Sequence, residues 1–228
     1  MIQEALSYDY PRFNALPSIE EADAEMRGKD KLNLALSLLG PVFVKHGLCE
    51  ILGISLLHKH WSVAQGEVPI TDVSVDETPK EYELRPREQF SKRFYPSILA
   101  ATSEAGSLEP LEFSADAYAE RAFEQLQQRP AFVAEFSKLL ADNDLSGMFG
   151  LGVPRPTAEG FELVEFTNEG RCSVSKELPS SEVSGMKIIE TGWMFSGDAS
   201  AGCTKSCFAK CNVPGHTPSH SPVHAPGS

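Results

Sequence analysis

A chain of 228 residues that is 41% hydrophobic has enough apolar material for one ordinary core plus appendages, without disulfide staples. Its formal charge of −12, from 20 basic and 32 acidic residues, argues against a nucleic-acid partner or an anionic membrane surface. The best basic stretch, Lys80 to Arg93, is interrupted by Glu81, Glu83 and Glu88, so neither partner is expected.

The opening MIQEALSYDYPRF lacks a positive segment followed by an apolar one, and the longest greasy run, Leu34 to Val44, is far below the roughly 20 residues a membrane helix needs. A cytoplasmic protein is expected. Five cysteines, three of them crowded at one end, do not form an even disulfide framework; free thiols or metal ligands fit better.

In chain order, Ser18 with Glu21 forms a capping box and predicts a helix to about Arg27. A second helix is predicted from Asp30, with Leu32, Leu36, Leu39 and Phe43 on one side, kinked at Gly40-Pro41 and ended by Gly47. Ile51 to Val63 and Val68 to Val75 read as extended runs joined at Gln65-Gly66, a β-hairpin. Further strands are expected at Glu81 to Arg85, Tyr95 to Ala100 and Leu111 to Phe113. Ser114 is the expected N-cap of a helix through Gln128, and Pro130 opens another to about Ala141. A Gly/Pro-rich stretch, Leu145 to Gly160, hands over to strands at Phe161 to Phe166, Arg171 to Lys176 and Met186 to Phe195. Regular β-α-β alternation is missing, so the expected class is α+β, a largely antiparallel sheet with helices packed on one face. Residues 1–195 form one domain in this reading, and 196–228 a flexible, disordered tail rich in Cys, His and Pro.

Two constellations carry ligand chemistry. In Leu56-Leu57-His58-Lys59-His60-Trp61, residues two apart on a strand share a face about 6.6 Å apart, so His58 and His60 can reach one ion. Glu67, just past the turn, is the nearest carboxylate for a two-His, one-carboxylate set, as third ligand or general base. His46, at the end of the second helix, can approach the same place or simply favour the helix dipole. The bland alternative is a pair of structural histidines hydrogen-bonded to backbone. The spacing resembles the first motif of the cupin superfamily, but both gaps differ and no second motif follows.

The tail is the second constellation: Cys203, Cys207, Cys211, His216, His220 and His224 at nearly constant spacing. A helix would align the three thiols toward a soft ion, while Pro214, Pro218, Pro222 and Pro226 make the histidine half an extended ribbon. His216 and His220 with Cys203, Cys207 and Cys211 fall within zinc-ligand spacings, and a disordered tail with reactive thiols is the alternative.

Leu56-Leu57-His58-Lys59-His60-Trp61 and Glu190-Thr191-Gly192-Trp193-Met194-Phe195, followed by the Cys/His tail, are similar to small uncharacterised proteins of filamentous fungi. That resemblance implies no agreed activity; some such proteins lie near secondary-metabolism genes. The functional expectation is a small metal-dependent enzyme, using zinc or iron and acting on a small molecule such as a hydrophobic natural-product intermediate, with His58, His60 and Glu67 at its centre. A non-enzymatic metal-binding or redox-sensing protein using the Cys/His tail is the alternative.

Overall fold

The computed structural model describes residues 8–73, 81–87, 94–103, 106–168, 170–197 and 204–213. Its helices are α1 (Tyr10–Asn14), α2 (Ile19–Gly28), α3 (Lys31–His46), α4 (Ala117–Gln127), α5 (Pro130–Asp142) and α6 (Ser180–Val183). The strands are β1 (Gly53–Leu56), β2 (Val68–Val73), β3 (Glu81–Arg87), β4 (Tyr95–Ala101), β5 (Leu108–Ser114), β6 (Phe149–Gly152), β7 (Phe161–Asn168), β8 (Cys172–Pro179), β9 (Ile188–Ser196) and β10 (Thr204–Asn212).

Local chemistry sets the helix ends. Ser18 and Glu21 cap α2 reciprocally, Gly47 ends α3 in the left-handed conformation, and Pro130 opens α5. Asp116, rather than Ser114, caps α4, accepting from the Ala119 amide at 2.8 Å.

The expected α+β sheet with helices on one face is overturned. The ten strands close into a barrel in the order β1-β6-β4-β5-β2-β3-β8-β7-β10-β9, with β9 returning to β1. Two seams, β2–β5 and β7–β10, are parallel and the rest antiparallel. The expected β1–β2 hairpin does not form: β1 stops at Leu56 and pairs with β6 and β9, both remote in sequence. Alternation of apolar and polar residues identifies strands but not partners, and a β1 of four residues carries little pairing information.

The expected disordered tail is corrected over residues 204–212, which are the barrel strand β10, between β9 and β7, while residues 214–228 lie outside the described residues. Its run of Lys, Ser, Ala and Cys lacks the branched apolar residues by which strands are usually read. A helix that would align the three thiols does not form over residues 204–212, and Cys203 lies outside the described residues.

One arc of the barrel, β9-β1-β6-β4, carries the helices on its outside. Ile54, Leu56, Leu99, Phe149, Leu151, Trp193 and Phe195 pack there against Leu39 and Phe43 of α3 and Phe132, Phe136 and Leu140 of α5. The Phe43 ring lies 4.8 Å from Phe195 and 5.2 Å from Phe132, centroid to centroid. Along β1 the alternation is strict: Ile54 and Leu56 join this core, whereas Ser55 lines the barrel interior.

Candidate metal centre in the barrel

The inner face of that arc carries a patch of glycines. Gly53 faces Gly152 across the β1–β6 seam, and Gly192 of β9 sits beside them. Into this bare patch β10 sends one ring. Phe208 falls out of the β9–β10 ladder at a bulge, and its ring lies so close that a Cβ at Gly53, Gly152 or Gly192 would stand 2.7, 3.1 or 2.6 Å from it. What remains open beside the ring is a cavity of about 80 Å³, lined by polar groups including Ser55, Ser97, Glu112 and Arg155.

After Leu56 the chain leaves the ladder and turns inward. Lys59 N bonds to Pro17 O at 2.9 Å, fixing the segment that carries the two imidazoles. The His58 and His60 rings meet edge to face, centroids 4.7 Å apart. Across from them Glu165 comes from β7 and Cys211 from β10, neighbours in register on the parallel β7–β10 seam. One ligand atom from each of His58, His60, Glu165 and Cys211 lies within 4.8 Å of all the others, so this group could hold a metal ion. His60 Nε2 is 3.2 Å from Glu165 Oε2, Cys211 Sγ is 3.5 Å from His58 Nε2, and Cys211 Sγ is 3.6 Å from Glu165 Oε2.

Hydrogen bonds orient both rings. A carbonyl oxygen only accepts, so the 2.8 Å contact of His58 Nδ1 with Leu56 O places the proton on Nδ1 and leaves Nε2 with a free lone pair toward Cys211. His60 Nδ1 lies 2.9 Å from Thr167 Oγ1, which in turn lies 3.1 Å from Ser173 Oγ, so its Nε2 is the atom presented to Glu165. This is the outer shell that metal-ligating histidines need.

The electrostatics divide the two imidazoles. Burial, reinforced by the neighbouring His60, drives the His58 pKa down to about 4, so this ring is neutral. Burial also works against a charge on His60, but Glu165 and Cys211 outweigh it and hold its pKa well above the usual imidazole range. Burial would raise Glu165, yet the His60 charge prevails and brings it down to about 2. Desolvation, with Glu165 alongside, pushes the Cys211 thiol up to about 11. A further carboxyl, Glu112, is raised to about 7 by burial and by repulsion from Glu165, and it makes no hydrogen bond among the described residues.

Of the residues singled out from the sequence, His58, His60 and Cys211 are brought together. His46 is not: its Nε2 contacts Glu135 at 2.9 Å and its ring packs on Phe132, in the helical layer. Glu67 braces the turn after the histidines, accepting from the Ala64 amide at 2.7 Å and pairing with Arg171. Cys207 gives its thiol proton to Ala209 O at 3.2 Å and packs beneath the helices, because the bulge at Phe208 interrupts the alternation between it and Cys211. Cys203, His216, His220 and His224 lie outside the described residues.

Sequence reasoning passed over Glu165, Thr167, Glu112 and Arg155. A signal existed in Phe161-Glu162-Leu163-Val164-Glu165-Phe166: two glutamates three apart on one strand take opposite faces, so in a closed barrel one of them points inward.

No protein-family model, curated protein or solved structure matches this chain, so its chemistry has to be read from the site itself.

Proposed function

We propose that the protein is a metal-dependent enzyme whose barrel holds one divalent ion, zinc in preference to iron, on His58, His60, Glu165 and Cys211. The observation that carries this reading is the spacing of the ligand atoms. Around a tetrahedral zinc, bond lengths of about 2.0–2.3 Å put two N/O ligands about 3.3 Å apart, and a sulfur about 3.6 Å from either. Three of the six separations in the barrel are 3.2, 3.5 and 3.6 Å, and all six lie within 4.8 Å, close enough for the four side chains to draw in around one ion. A thiolate, two imidazoles and a carboxylate in that arrangement suit zinc better than the octahedral sites of harder cations.

Catalysis is favoured over a purely structural ion by what faces the cluster. His58, His60 and Glu165 border the cavity, whereas Cys211, 1% exposed, stands behind them. These four side chains would hold an ion beside the cavity, where it would supply Lewis-acid polarisation to an oxygen that reached it. Glu112 borders the same cavity, and a carboxyl held near neutral pH is suited to proton transfer. The small volume, with Ser55, Ser97, Glu112 and Arg155 set among apolar side chains, favours a small substrate that carries a polar group over a large hydrophobic one. The redox-sensing alternative has little support from Cys211, since a buried thiol pushed up to about 11 is neither accessible nor ionised.

The test is the metal content, by mass spectrometry, of untagged protein purified without chelators. About one equivalent of zinc in the parent, and none in the His58→Ala/His60→Ala double variant, is the expected result. Equal metal in the two proteins sinks the proposal.

A further inference from the structure

The cavity beside the cluster has features that the metal does not use. Arg155, on the loop after β6, is fixed from three sides: its Nε donates to Asp116 at 2.9 Å, Nη2 lies 3.4 Å from Ser114 Oγ, and the guanidinium sits 4.8 Å above the Tyr82 ring. Nη1 has no partner among the described residues, and the side chain lines the cavity. Asp116 is itself held at the N-terminus of α4 by the Ala119 amide, so Arg155 cannot swing away without undoing a helix cap.

The second feature is Ser97. It is 5% exposed, lines the same cavity, and its hydroxyl has no hydrogen-bond partner among the described residues. A buried hydroxyl without a partner costs stability unless something outside the chain satisfies it. Glu112 is the acidic side chain that faces this space apart from the cluster, and burial keeps its carboxyl largely uncharged below about pH 7. It therefore need not repel an anion.

The third feature is size. A volume of about 80 Å³ is roughly half of the 150 Å³ that accommodates benzene with space to spare, which leaves room for about four or five heavy atoms. The wall that sets the limit is the Phe208 ring on its three glycines.

Resting on the metal reading above, we propose that the cavity binds short-chain carboxylates of two or three carbons, with the carboxylate held by Arg155 and Ser97 and the chain length limited by Phe208. A guanidinium with a free N–H edge matches a carboxylate oxygen, and a charge-assisted bond of this kind is among the stronger ones available to a protein. A neighbouring oxygen of the same molecule would then approach the metal side of the cavity.

The experiment is calorimetric titration of the full chain, zinc-loaded and metal-free, with acetate, glycolate, butyrate and hexanoate, zinc content being measured separately. Acetate and glycolate are expected to bind and hexanoate not. Arg155→Gln should weaken binding by about 10- to 100-fold with zinc content unchanged. Because that variant also breaks the Asp116 pair, Ser97→Ala is the second arm. Removing an unpartnered hydroxyl should leave the melting temperature unchanged or raised, yet weaken acetate by about three- to tenfold. Phe208→Ala should admit butyrate and hexanoate. Zinc-loaded protein that ignores acetate, or a Ser97→Ala variant that binds as the parent does, overturns the carboxylate site while leaving the metal reading intact. Protein that takes up no zinc but still binds acetate through Arg155 overturns the metal reading and upholds this one.

Discussion

Among the described residues there are two histidine–glutamate pairs of nearly the same length and opposite character. His46 and Glu135 meet at 2.9 Å on the outside of the helical layer, with Lys45 sharing the carboxylate. His60 and Glu165 meet at 3.2 Å inside the barrel, with a second imidazole and a thiol sharing the space. The outer pair is a surface contact: the Lys45 hydrogen bond, then that of His46, draws Glu135 below the usual carboxylate range, and water screens the rest. The inner pair is desolvated, and each member's protonation is governed by the other and by His58 and Cys211. Proximity of unlike groups is common to both. What separates them is burial and the company of further ligand atoms, and these are what a metal site requires.

The sharpest way to break this contrast is to remove ligands from each side. Cys211→Ala, or His58→Ala with His60→Ala, should weaken zinc binding by more than about 100-fold and abolish the rise in melting temperature on adding zinc, read by competitive chelator titration and calorimetry. His46→Ala should change neither. If His46→Ala lowers zinc content as much as Cys211→Ala does, the inner site is misassigned.

The second effect concerns protons. In the metal-free barrel His60 keeps its proton well above the ordinary imidazole range, and Cys211 stays a thiol to about 11. An incoming ion must expel both, so zinc affinity rises with pH through the neutral range, by about 100-fold per unit for about two protons released. Titrations in buffers of different ionisation enthalpy measure that number directly. A value near zero contradicts the ligand set.

Third in size is the outer shell. Thr167→Val keeps the volume but removes the oxygen that orients His60 Nδ1, and should weaken zinc by about 10- to 100-fold with little loss of fold. The smallest effect belongs to the surface pair. The folded pKa of Glu135 is depressed, so its contribution is present above the unfolded glutamate pKa and is lost as pH falls through the folded value. Glu135→Gln should therefore cost less than about 1 kcal/mol in urea unfolding at pH 7, and progressively less as the pH falls below the usual glutamate range.

The local elements were largely legible in the sequence, and their assembly was not. Ser18, Gly47 and Pro130 act through the backbone atoms next to them, so a reader of residues can place them. Barrel closure rests on β1 finding β9, about 140 residues on, and no local pattern encodes that. The site was half legible for the same reason. His58 and His60 are two apart and announce themselves, whereas Glu165 and Cys211 join them only through the parallel β7–β10 seam. Glu67 looked like the partner carboxylate because it is close in sequence; it is spent instead on Arg171 and on the Ala64 turn.

The place of β10 in the barrel also fixes a moment in the life of the chain. It is the strand between β9 and β7, and it brings Cys211 to the histidines of residues 58 and 60. A nascent chain that has not yet delivered residue 211 has an open sheet edge on both β7 and β9, and at most three of the four ligands. The complete set of four can therefore form only after synthesis has passed this strand. On the metal reading proposed above, the early histidines would until then meet whatever metal the surroundings offer, and fidelity of loading would depend on how quickly the last strand docks.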